Sequence, residues 1–392
     1  MMPLTPELVA FLQTERAQTE LGALAGSDLG EAATLARLTE LRQRFAPAEA
    51  AALLDQARLR LRAGRKFAHP ERLLLTDEAL QQASSLAVAR YRAARFAAYP
   101  RVADLGCGIG GDTLALAEVA GAVLAVERDQ LRAALAEANI RASGLAGRAQ
   151  VLCADWTALD LAVDAAFADP ARRVDERRVF GLDQMEPPIG AILALRERVP
   201  DVAVKVAPGV DLDTVPPGAA VEFISERGEL KEALLLFGGL RGPALRSATL
   251  LPGPHQLDST APESDAPARL PAAVLYEPDP AVLRAGLVRH LAALLDAAQI
   301  DLTIAYLTAE QPTATPFARA WSVLRHGPFN LKHLNVWLRE QGAGEVIVKK
   351  RGSPVDPDAF RRRLKTSPGG PALTVFLTRA LDRPWMILGT AL

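Results

Sequence analysis

The sequence has few cysteines, almost no net charge and no long apolar run. Two of its 392 residues are cysteines, Cys107 and Cys153, which excludes a disulfide scaffold and a cysteine-based zinc site. The net charge is −1, so attraction to a polyanion must come from local clusters of cations. No apolar run approaches the roughly 18 residues of a membrane span, and the first residues include acids, unlike a signal peptide. We therefore expect a cytoplasmic protein with no membrane partner.

Histidine is also scarce. The five histidines are scattered along the chain without the spacing of metal ligands. We therefore expect no metal site.

The stretch 102–113 carries the clearest local pattern. An apolar run ends at Asp104, and a helical pattern begins near Asp112. Between them glycine occupies every second position: Gly106, Gly108 and Gly110. Glycine permits positive φ and the close approach of a ligand, and the start of a helix offers unpaired N–H groups. The pattern predicts a strand, a loop and a helix that hold a nucleotide-like cofactor.

The glycine spacing bears on the kind of cofactor. A dinucleotide-binding loop usually reads G-x-G-x-x-G, whereas this loop reads G-x-G-x-G. Acids flank it on both sides, at Asp104 and Asp112. These acids suit a positively charged ligand group better than a pyrophosphate.

Three further apolar runs also end in acids. They end at Glu127, at Asp155 followed by Trp156, and at Asp169 followed by Pro170. An acid at the end of the second strand is the expected partner of a ribose. Four strands that each end in an acid favour a cofactor site.

The order of apolar runs predicts an α/β fold. Strands alternate with helices through residue 206, which indicates a parallel sheet covered on both faces. The runs 220–224 and 233–237 are too close for a crossover helix, so they should pair antiparallel. We predict a seven-stranded, Rossmann-like sheet that is not of the dinucleotide-binding type.

Composition predicts four parts along the chain. They are a helical domain (1–70), the α/β domain (71–252), a Pro- and Ser-rich linker (253–271) and an α+β domain (272–392). Within them we expect a helix from a Thr76 cap toward Phe96 and an amphipathic helix over 280–297.

Three clusters of basic residues stand out. One lies within residues 58–72, and its alternatives are a solvated helix face or an edge that contacts phosphates. The other two lie in the last domain, and their alternatives are a solvated surface or contact with a polyanion. Their members proposed for RNA binding are Lys349, Lys350, Arg351, Arg361 and Arg362.

These motifs resemble known families. Residues 104–110, Glu127, Asp155 and the pair Asp169-Pro170 resemble class I S-adenosylmethionine-dependent methyltransferases. The stretch 75–170 is similar to the trimethylguanosine synthase branch, through residues 104–112 and the helix with Asn139. The segments 276–280, 314–319 and 348–352 resemble the THUMP-like domain attached to bacterial methyltransferases.

The resemblance implies a site for S-adenosyl-L-methionine. Asp104 would face its positive methionine part, Glu127 would accept from the ribose hydroxyls, and Asp155 would accept from the adenine amine. Trp156 or Ile109 would pack on the adenine ring. The implied cofactor residues are Asp104, Gly106, Gly108, Ile109, Gly110, Asp112, Thr113, Glu127, Asp155 and Trp156. Each acid also has a reading as a helix cap or a loop residue.

The implied substrate motif departs from the family pattern. Amine methyltransferases carry Asp/Asn/Ser-Pro-Pro-aromatic at the fourth strand, but after Asp169 and Pro170 this chain has Ala171 and Arg172. A guanidinium can stack on a base or pair with a phosphate, so nucleic acid stays open as substrate. Lys205, in an apolar strand, should pair with Asp169 or touch the substrate. The implied catalytic residues are Asp169, Pro170, Arg172 and Lys205.

The leading hypothesis is an RNA methyltransferase whose terminal modules hold the RNA. One alternative is a methyltransferase of small molecules or proteins, and another is a non-catalytic protein that binds S-adenosylmethionine and RNA. An NAD-dependent oxidoreductase fits the glycine spacing and the terminal hairpin least.

Overall fold

The computed structural model describes residues 4–64, 66–171, 173–174, 177–178 and 181–392. The chain forms two compact units, the first of Met1–Ala219 with Leu234–Gly242 and the second of Ala220–Ala233 with Pro243–Leu392. No helix within these described ranges has the length and apolar character to cross a membrane. The four-part division expected from composition stays a prediction.

Four helices open the first unit, where the sequence predicts a helical domain. Thr5 and Thr14 cap the first two through bonds to backbone N–H groups. Their buried leucines share one apolar cluster with Ile109 and Leu135. The helices are α1 (Pro6–Leu12), α2 (Glu15–Ala25), α3 (Glu31–Arg42) and α4 (Pro47–Ala63).

The helix expected from Thr76 to Phe96 is wrong in its length. Thr76 does cap α5 (Asp77–Gln82), but the backbone leaves the helical region at Ala83. Ser85 then caps a second helix, α6 (Leu86–Ala93), by accepting from the N–H of Val88. A serine cap inside the apolar pattern competes with helix continuation and divides it in two.

In the sheet of the first unit, β3 pairs with β2, β2 with β1, β1 with β4 and β4 with β7, all in parallel. The strand order is therefore β3-β2-β1-β4-β7, and the last residues of β9 (Glu229–Leu236) lie beside β7. Helices α7, α8 and α9 connect its strands. A short antiparallel pair, β5 with β6, follows β4. The elements are β1 (Arg101–Leu105), α7 (Gly111–Val119), β2 (Ala122–Glu127), α8 (Gln130–Ala142), β3 (Ala149–Cys153), β4 (Ala165–Ala168), β5 (Arg173–Val174), β6 (Arg177–Arg178), α9 (Ile189–Leu195) and β7 (Val202–Val206).

The second unit begins with strands that the sequence predicts and one that it does not. Arg227 and Gly228 form the turn between β8 and β9, so the chain reverses there as expected. The expected linker contains β11, which pairs antiparallel with β10 and buries Leu257. The strands are β8 (Ala220–Glu226), β9 (Glu229–Leu236), β10 (Arg246–Leu251) and β11 (His255–Asp258).

A seven-stranded sheet fills the rest of the second unit, in the order β13-β14-β12-β15-β18-β17-β16. The helix expected over 280–297 is divided, because Gly286 adopts φ +67° between α10 and α11. The elements are β12 (Val274–Pro278), α10 (Pro280–Arg284), α11 (Val288–Leu294), β13 (Ala298–Asp301), β14 (Ile304–Ala309), β15 (Ala318–Pro328), α12 (Leu331–Glu340), β16 (Glu345–Lys350), α13 (Pro357–Arg361), β17 (Ala372–Ala380) and β18 (Arg383–Ala391).

Candidate functional site

The glycine loop joins β1 to α7 as predicted. Gly106, Gly108 and Gly110 have φ of 79°, 58° and 85°, a region that residues with a side chain avoid. A Cβ on Gly106 would lie 3.3 Å from the carbonyl oxygen of Asp169, so the loop passes close to the end of β4. A Cβ on Gly108 would meet no atom within 4 Å. The middle of the loop therefore faces open space that a ligand can occupy.

Asp104 lies fully buried at the end of β1. Its Oδ2 accepts a hydrogen bond from Oγ1 of Thr113 at 2.5 Å, whereas its buried Oδ1 has no partner among the described residues. Burial, and then the neighbouring Asp112, raise the pKa of Asp104 to about 8. A buried carboxylate oxygen without a donor is costly, so this oxygen suits a cationic or hydrogen-bonding ligand.

Asp112 forms an ion pair with Arg92, a residue that the sequence patterns did not indicate. The guanidinium of Arg92 pairs with Asp112, bonds Oγ of Ser84 at 3.1 Å and lies 4.6 Å from the ring centre of Phe167. Arg92 is 2% exposed, and a buried cation of this kind needs such partners. The only sequence signal was an arginine within an otherwise apolar helix face.

Glu127 lies buried at the end of β2. Its Oε2 accepts from the N–H of Gly108, and its Oε1 accepts from the N–H of Asp129, both at 2.9 Å. The carboxylate thus fixes the glycine loop to the end of β2. Each oxygen keeps a second lone pair with which it can accept from a ligand hydroxyl.

Asp155 and Ile109 have structural partners besides their predicted roles. Oδ1 of Asp155 accepts from the backbone N–H and the hydroxyl of Thr157, at 2.9 and 2.7 Å, and caps a short helical turn that begins at the buried Trp156. The Thr157 bonds lower the pKa of Asp155. Ile109 lies in the apolar cluster of the first helices, and its carbonyl accepts from Nδ2 of Asn139.

Residues 73–75 are held by three buried side chains. Nε of Arg60 donates to the carbonyl of residue 73 at 2.9 Å. The Asn139 amide bonds both peptide groups of residue 74, at 2.7 and 3.0 Å. The Gln56 amide bonds both peptide groups of residue 75, at 2.9 and 2.7 Å. Desolvation lowers the pKa of Arg60 to about 10. This segment thereby joins α4 to the helix that follows β2.

Asp169 and Lys205 meet at the end of β4. Nζ of Lys205 lies 2.7 Å from Oδ2 of Asp169, which realises one of the two predicted alternatives for this lysine. Lys205 is 5% exposed, whereas the Asp169 side chain is 29% exposed, so the carboxylate is accessible beside the glycine loop. Pro170 is buried, and Arg172 lies outside the described residues.

The basic residues at the end of β16 differ in their surroundings. Lys349 is half-buried, pairs with Glu277 and lies 4.8 Å from the ring centre of Trp321. Arg351 lies 5.1 Å from the ring centre of Tyr306. Lys350, the next residue along the strand from Lys349, faces the opposite side and is exposed. Lys349 and Arg351 are therefore engaged within the protein, whereas Lys350 is exposed.

Arg361 and Arg362 lie exposed at the end of α13. Within the described ranges neither forms an ion pair, and Arg362 bonds the carbonyl of Asp358 at 3.4 Å. These two cations keep most of their donors available.

The N-terminal basic residues are bonded within the fold. Nε of Arg58 donates to the Leu29 carbonyl at 3.1 Å, and Arg62 lies 2.6 Å from Asp77. Nζ of Lys66 donates to three carbonyls at the end of α5, at 2.8, 3.0 and 2.7 Å. Arg65 lies outside the described residues. These contacts favour a structural role over contact with phosphates, which was one of the two alternatives for this cluster.

Groups of His, Cys, Asp or Glu that could hold a metal ion are absent from the part of the chain that is described. Both cysteines are free, Cys107 buried and Cys153 exposed.

Comparison with known proteins relates both units to other chains. The THUMP domain-like family matches residues 318–391. An uncharacterised S-adenosylmethionine-dependent methyltransferase of Mycobacterium tuberculosis is 38% identical over 313 residues, which are 78% of this chain and 84% of the relative. The 23S rRNA (uracil(1939)-C(5))-methyltransferase of Acidithiobacillus ferrooxidans is 36% identical over 104 residues, 26% of this chain and 21% of that protein.

A solved structure shares the fold over nearly the full length. The crystal structure of a methyltransferase candidate from Porphyromonas gingivalis W83 aligns with a TM-score of 0.77, covers 99% of both chains and is 21% identical. At this identity the likeness concerns the fold alone.

Proposed function

We propose that this chain, which belongs to the S-adenosylmethionine-dependent methyltransferases, methylates RNA. It is an enzyme of that class, and its cofactor is S-adenosyl-L-methionine. The observation that carries the RNA proposal is the set of accessible cations at Lys350, Arg361 and Arg362, which form no ion pair with any described residue. All three lie within the region that matches the THUMP domain-like family. The similarity of part of the chain to an rRNA methyltransferase supports it.

The residues around the glycine loop fit the cofactor. When bound, S-adenosylmethionine supplies a methyl group on a positively charged sulfonium. The unpartnered Oδ1 of Asp104 would accept from the cationic methionine part, and the spare lone pairs of Glu127 would accept from ribose hydroxyls. The open side of Gly108 leaves room for close approach. Oδ2 of Asp155 lies outside the Thr157 bonds and would accept from the adenine amine.

The other proposed cofactor-binding residues orient side chains or shape the loop around the cofactor. Thr113 orients the Asp104 carboxylate, and Asp112 is fixed by Arg92 at the start of α7. Gly106 and Gly110 shape the loop, while Ile109 and Trp156 supply buried apolar surface beside it.

The substrate would be received at Asp169 and Pro170. Lys205 holds the Asp169 carboxylate in one orientation while leaving it partly exposed, so that it can accept from a donor on the target base. Arg172, which follows in the same motif, would stack on the base or contact a phosphate. The chain's own residues would thus position the nucleophile and exclude water.

The RNA strand would be held by the cations of the second unit. Lys350, Arg351, Arg361 and Arg362 are proposed to contact phosphates, which is the main source of affinity for RNA backbones. Lys349 contributes indirectly, since its ion pair neutralises Glu277. The finer assignment to the trimethylguanosine synthase branch stays a prediction.

Labelled methyl transfer tests the proposed substrate. Total RNA from a strain that lacks the protein is incubated with the purified enzyme and methyl-labelled S-adenosylmethionine. We expect label in RNA with the wild type, and strongly reduced label with Glu127→Ala because cofactor binding weakens. Wild-type protein that binds the cofactor but labels no RNA would contradict the proposal. It would leave a small-molecule or protein substrate, or a non-catalytic role.

A further inference from the structure

A cleft in the second unit brings together three segments that are distant in the sequence. Residues from 277–280, 316–319 and position 351 line it, together with the β8–β9 turn and the end of β10. Its volume is about 550 Å³, which lies in the usual range of roughly 300–1,000 Å³ for ligand sites. These residues belong to the three segments that resemble the THUMP-like domain, and the fold places them around one space.

Four basic side chains line this cleft: Arg227, His255, Arg319 and Arg351. Counting only the described residues, none of the three arginines forms an ion pair with a carboxylate. Guanidinium groups that line one space repel each other, so an arrangement in which they outnumber the carboxylates favours an anionic ligand.

The conformation of the β8–β9 turn places Arg227 close to Arg319. Arg227 has φ 54° and Gly228 has φ 80°, and the N–H of Arg227 donates to the Leu251 carbonyl at 2.9 Å. A Cβ on Gly228 would lie 2.8 Å from Nη2 of Arg319. Only glycine at this position allows the Arg319 guanidinium to lie so close to the turn that carries Arg227.

The two carboxylates of the cleft are already engaged. Glu277 pairs with Lys349, and Oδ1 of Asp279 accepts from the N–H of Ala281 at 2.8 Å. Lys349 offsets the charge of Glu277, whereas Asp279 keeps its negative charge, so three arginines face one uncompensated carboxylate and the cleft stays net positive. Arg351 is additionally held against the ring of Tyr306, which orders the guanidinium while leaving its edge free to donate.

Part of the cleft wall is apolar. It includes Leu251, Leu283 and prolines such as Pro280 and Pro316. A site for phosphate alone would not need this surface, whereas a nucleotide presents a ring and a sugar beside its phosphate. Arginine suits both parts, because it pairs with phosphates and stacks on bases.

The geometry points to a site for a phosphate-bearing nucleotide, namely one unstacked nucleotide of the RNA substrate. The assignment of this nucleotide to an RNA strand rests on the proposed function. The arginines bind the phosphate, and the apolar wall contacts the base or ribose. This site is separate from the exposed cations at Arg361 and Arg362, which contribute to binding along the strand.

A matched pair of full-length variants tests the site. Arg227→Gln with Arg319→Gln removes two cleft charges, and Arg42→Gln with Arg383→Gln removes two exposed charges outside the cleft. Each variant is titrated into a fluorescein-labelled single-stranded RNA of about a dozen nucleotides at several salt concentrations, and its melting temperature is recorded. Adenosine monophosphate is titrated separately.

We expect the cleft variant to bind the RNA at least tenfold more weakly than the control variant at ~50 mM salt, with unchanged melting temperature. The slope of log affinity against log salt should become shallower by about 0.7, since the site binds one phosphate and each phosphate contact on a single strand contributes about 0.7. Adenosine monophosphate should compete only with RNA bound to protein that has an intact cleft.

The outcomes separate the cleft from the proposed function. If the wild type binds RNA and the cleft variant matches its control, the cleft inference is overturned and the RNA proposal stands. If the wild type binds no RNA but binds adenosine monophosphate through Arg227 and Arg319, the RNA proposal fails and a free nucleotide is the ligand. If neither RNA nor the nucleotide depends on these arginines, the site is refuted.

Discussion

Two basic stretches of this chain carry similar charge and use it differently. Residues 58–72 contain six lysines and arginines, and residues 349–365 contain seven. In the first stretch Arg60 and Lys66 donate to backbone carbonyls inside the fold. In the second, Lys350 and Arg361 are exposed and, within the described ranges, form no ion pair. The density of cations in the sequence therefore does not distinguish a structural role from a binding role. The roles differ because backbone carbonyls inside the fold accept from the cations of the first stretch.

The largest effect should come from removing the buried cation of the first stretch. Arg60→Met keeps apolar volume but leaves the carbonyl of Leu73 without its donor, which costs about 2–3 kcal/mol of unfolding free energy. Chemical denaturation measures this loss. Arg42→Met, an exposed cation on α3, is the control and should melt like the wild type. Equal stability of the two variants would contradict a structural role for Arg60, on which the contrast between the two basic stretches depends.

The exposed cations of the second stretch should affect binding and leave stability intact. Lys350→Gln, Arg361→Gln and Arg362→Gln together should weaken RNA binding about 30-fold at low salt and make the salt slope shallower by about 2. The melting temperature should stay within about 2 °C, since these side chains have few contacts. Fluorescence anisotropy measures affinity, with Arg37→Gln, Arg42→Gln and Arg383→Gln as control. A variant that binds RNA with wild-type affinity would contradict this role.

Asp104 differs from the bonded polar groups of the first unit, because its buried Oδ1 has no donor among the described residues. Its pKa of about 8 exceeds the usual 3.8, so the folded chain holds a proton that the unfolded chain releases. Stability of the ligand-free protein should then fall as pH rises from about 4 to 8. Asp104→Asn should melt about 2–4 °C higher than the wild type at pH 9, with the difference vanishing toward pH 4. A difference that is independent of pH would be inconsistent with titration of this carboxyl.

Lys349 differs from the exposed cations of the second stretch because it forms an ion pair with Glu277. Its substitution should have the smallest effect on stability. Lys349→Met keeps contact with the ring of Trp321 but leaves Glu277 unpaired, which costs about 0.5–1 kcal/mol for a partly exposed pair. Adding Glu277→Gln should restore most of the stability. A double-mutant cycle measures the coupling. Additive effects would show that the ion pair contributes nothing.

Local patterns predicted the local structure of the candidate site. The glycine loop and the strand ends at Asp104 and Glu127 lie where the sequence places them, because each has a specific backbone requirement. Their role in cofactor binding stays a prediction. The contact between Lys205 and Asp169 was foreseen as one of two alternatives, since both residues lie at the ends of apolar strands.

Contacts between distant segments could not be predicted from the sequence. Arg92 and its ion pair, and the bonds of Gln56 and Asn139 to residues 73–75, join positions that no periodicity relates. A serine cap at Ser85 was the available signal for the break between α5 and α6.

The side-chain bonds to residues 73–75 have a consequence for hydrogen exchange. The amide protons of Leu74 and Leu75 donate to Asn139 and Gln56, not to a neighbouring strand. Their protection from exchange therefore lasts only while α4 and α8 stay docked on this segment. These two amides would report separation of the N-terminal helices from the glycine loop, well before the central strands lose their own protection.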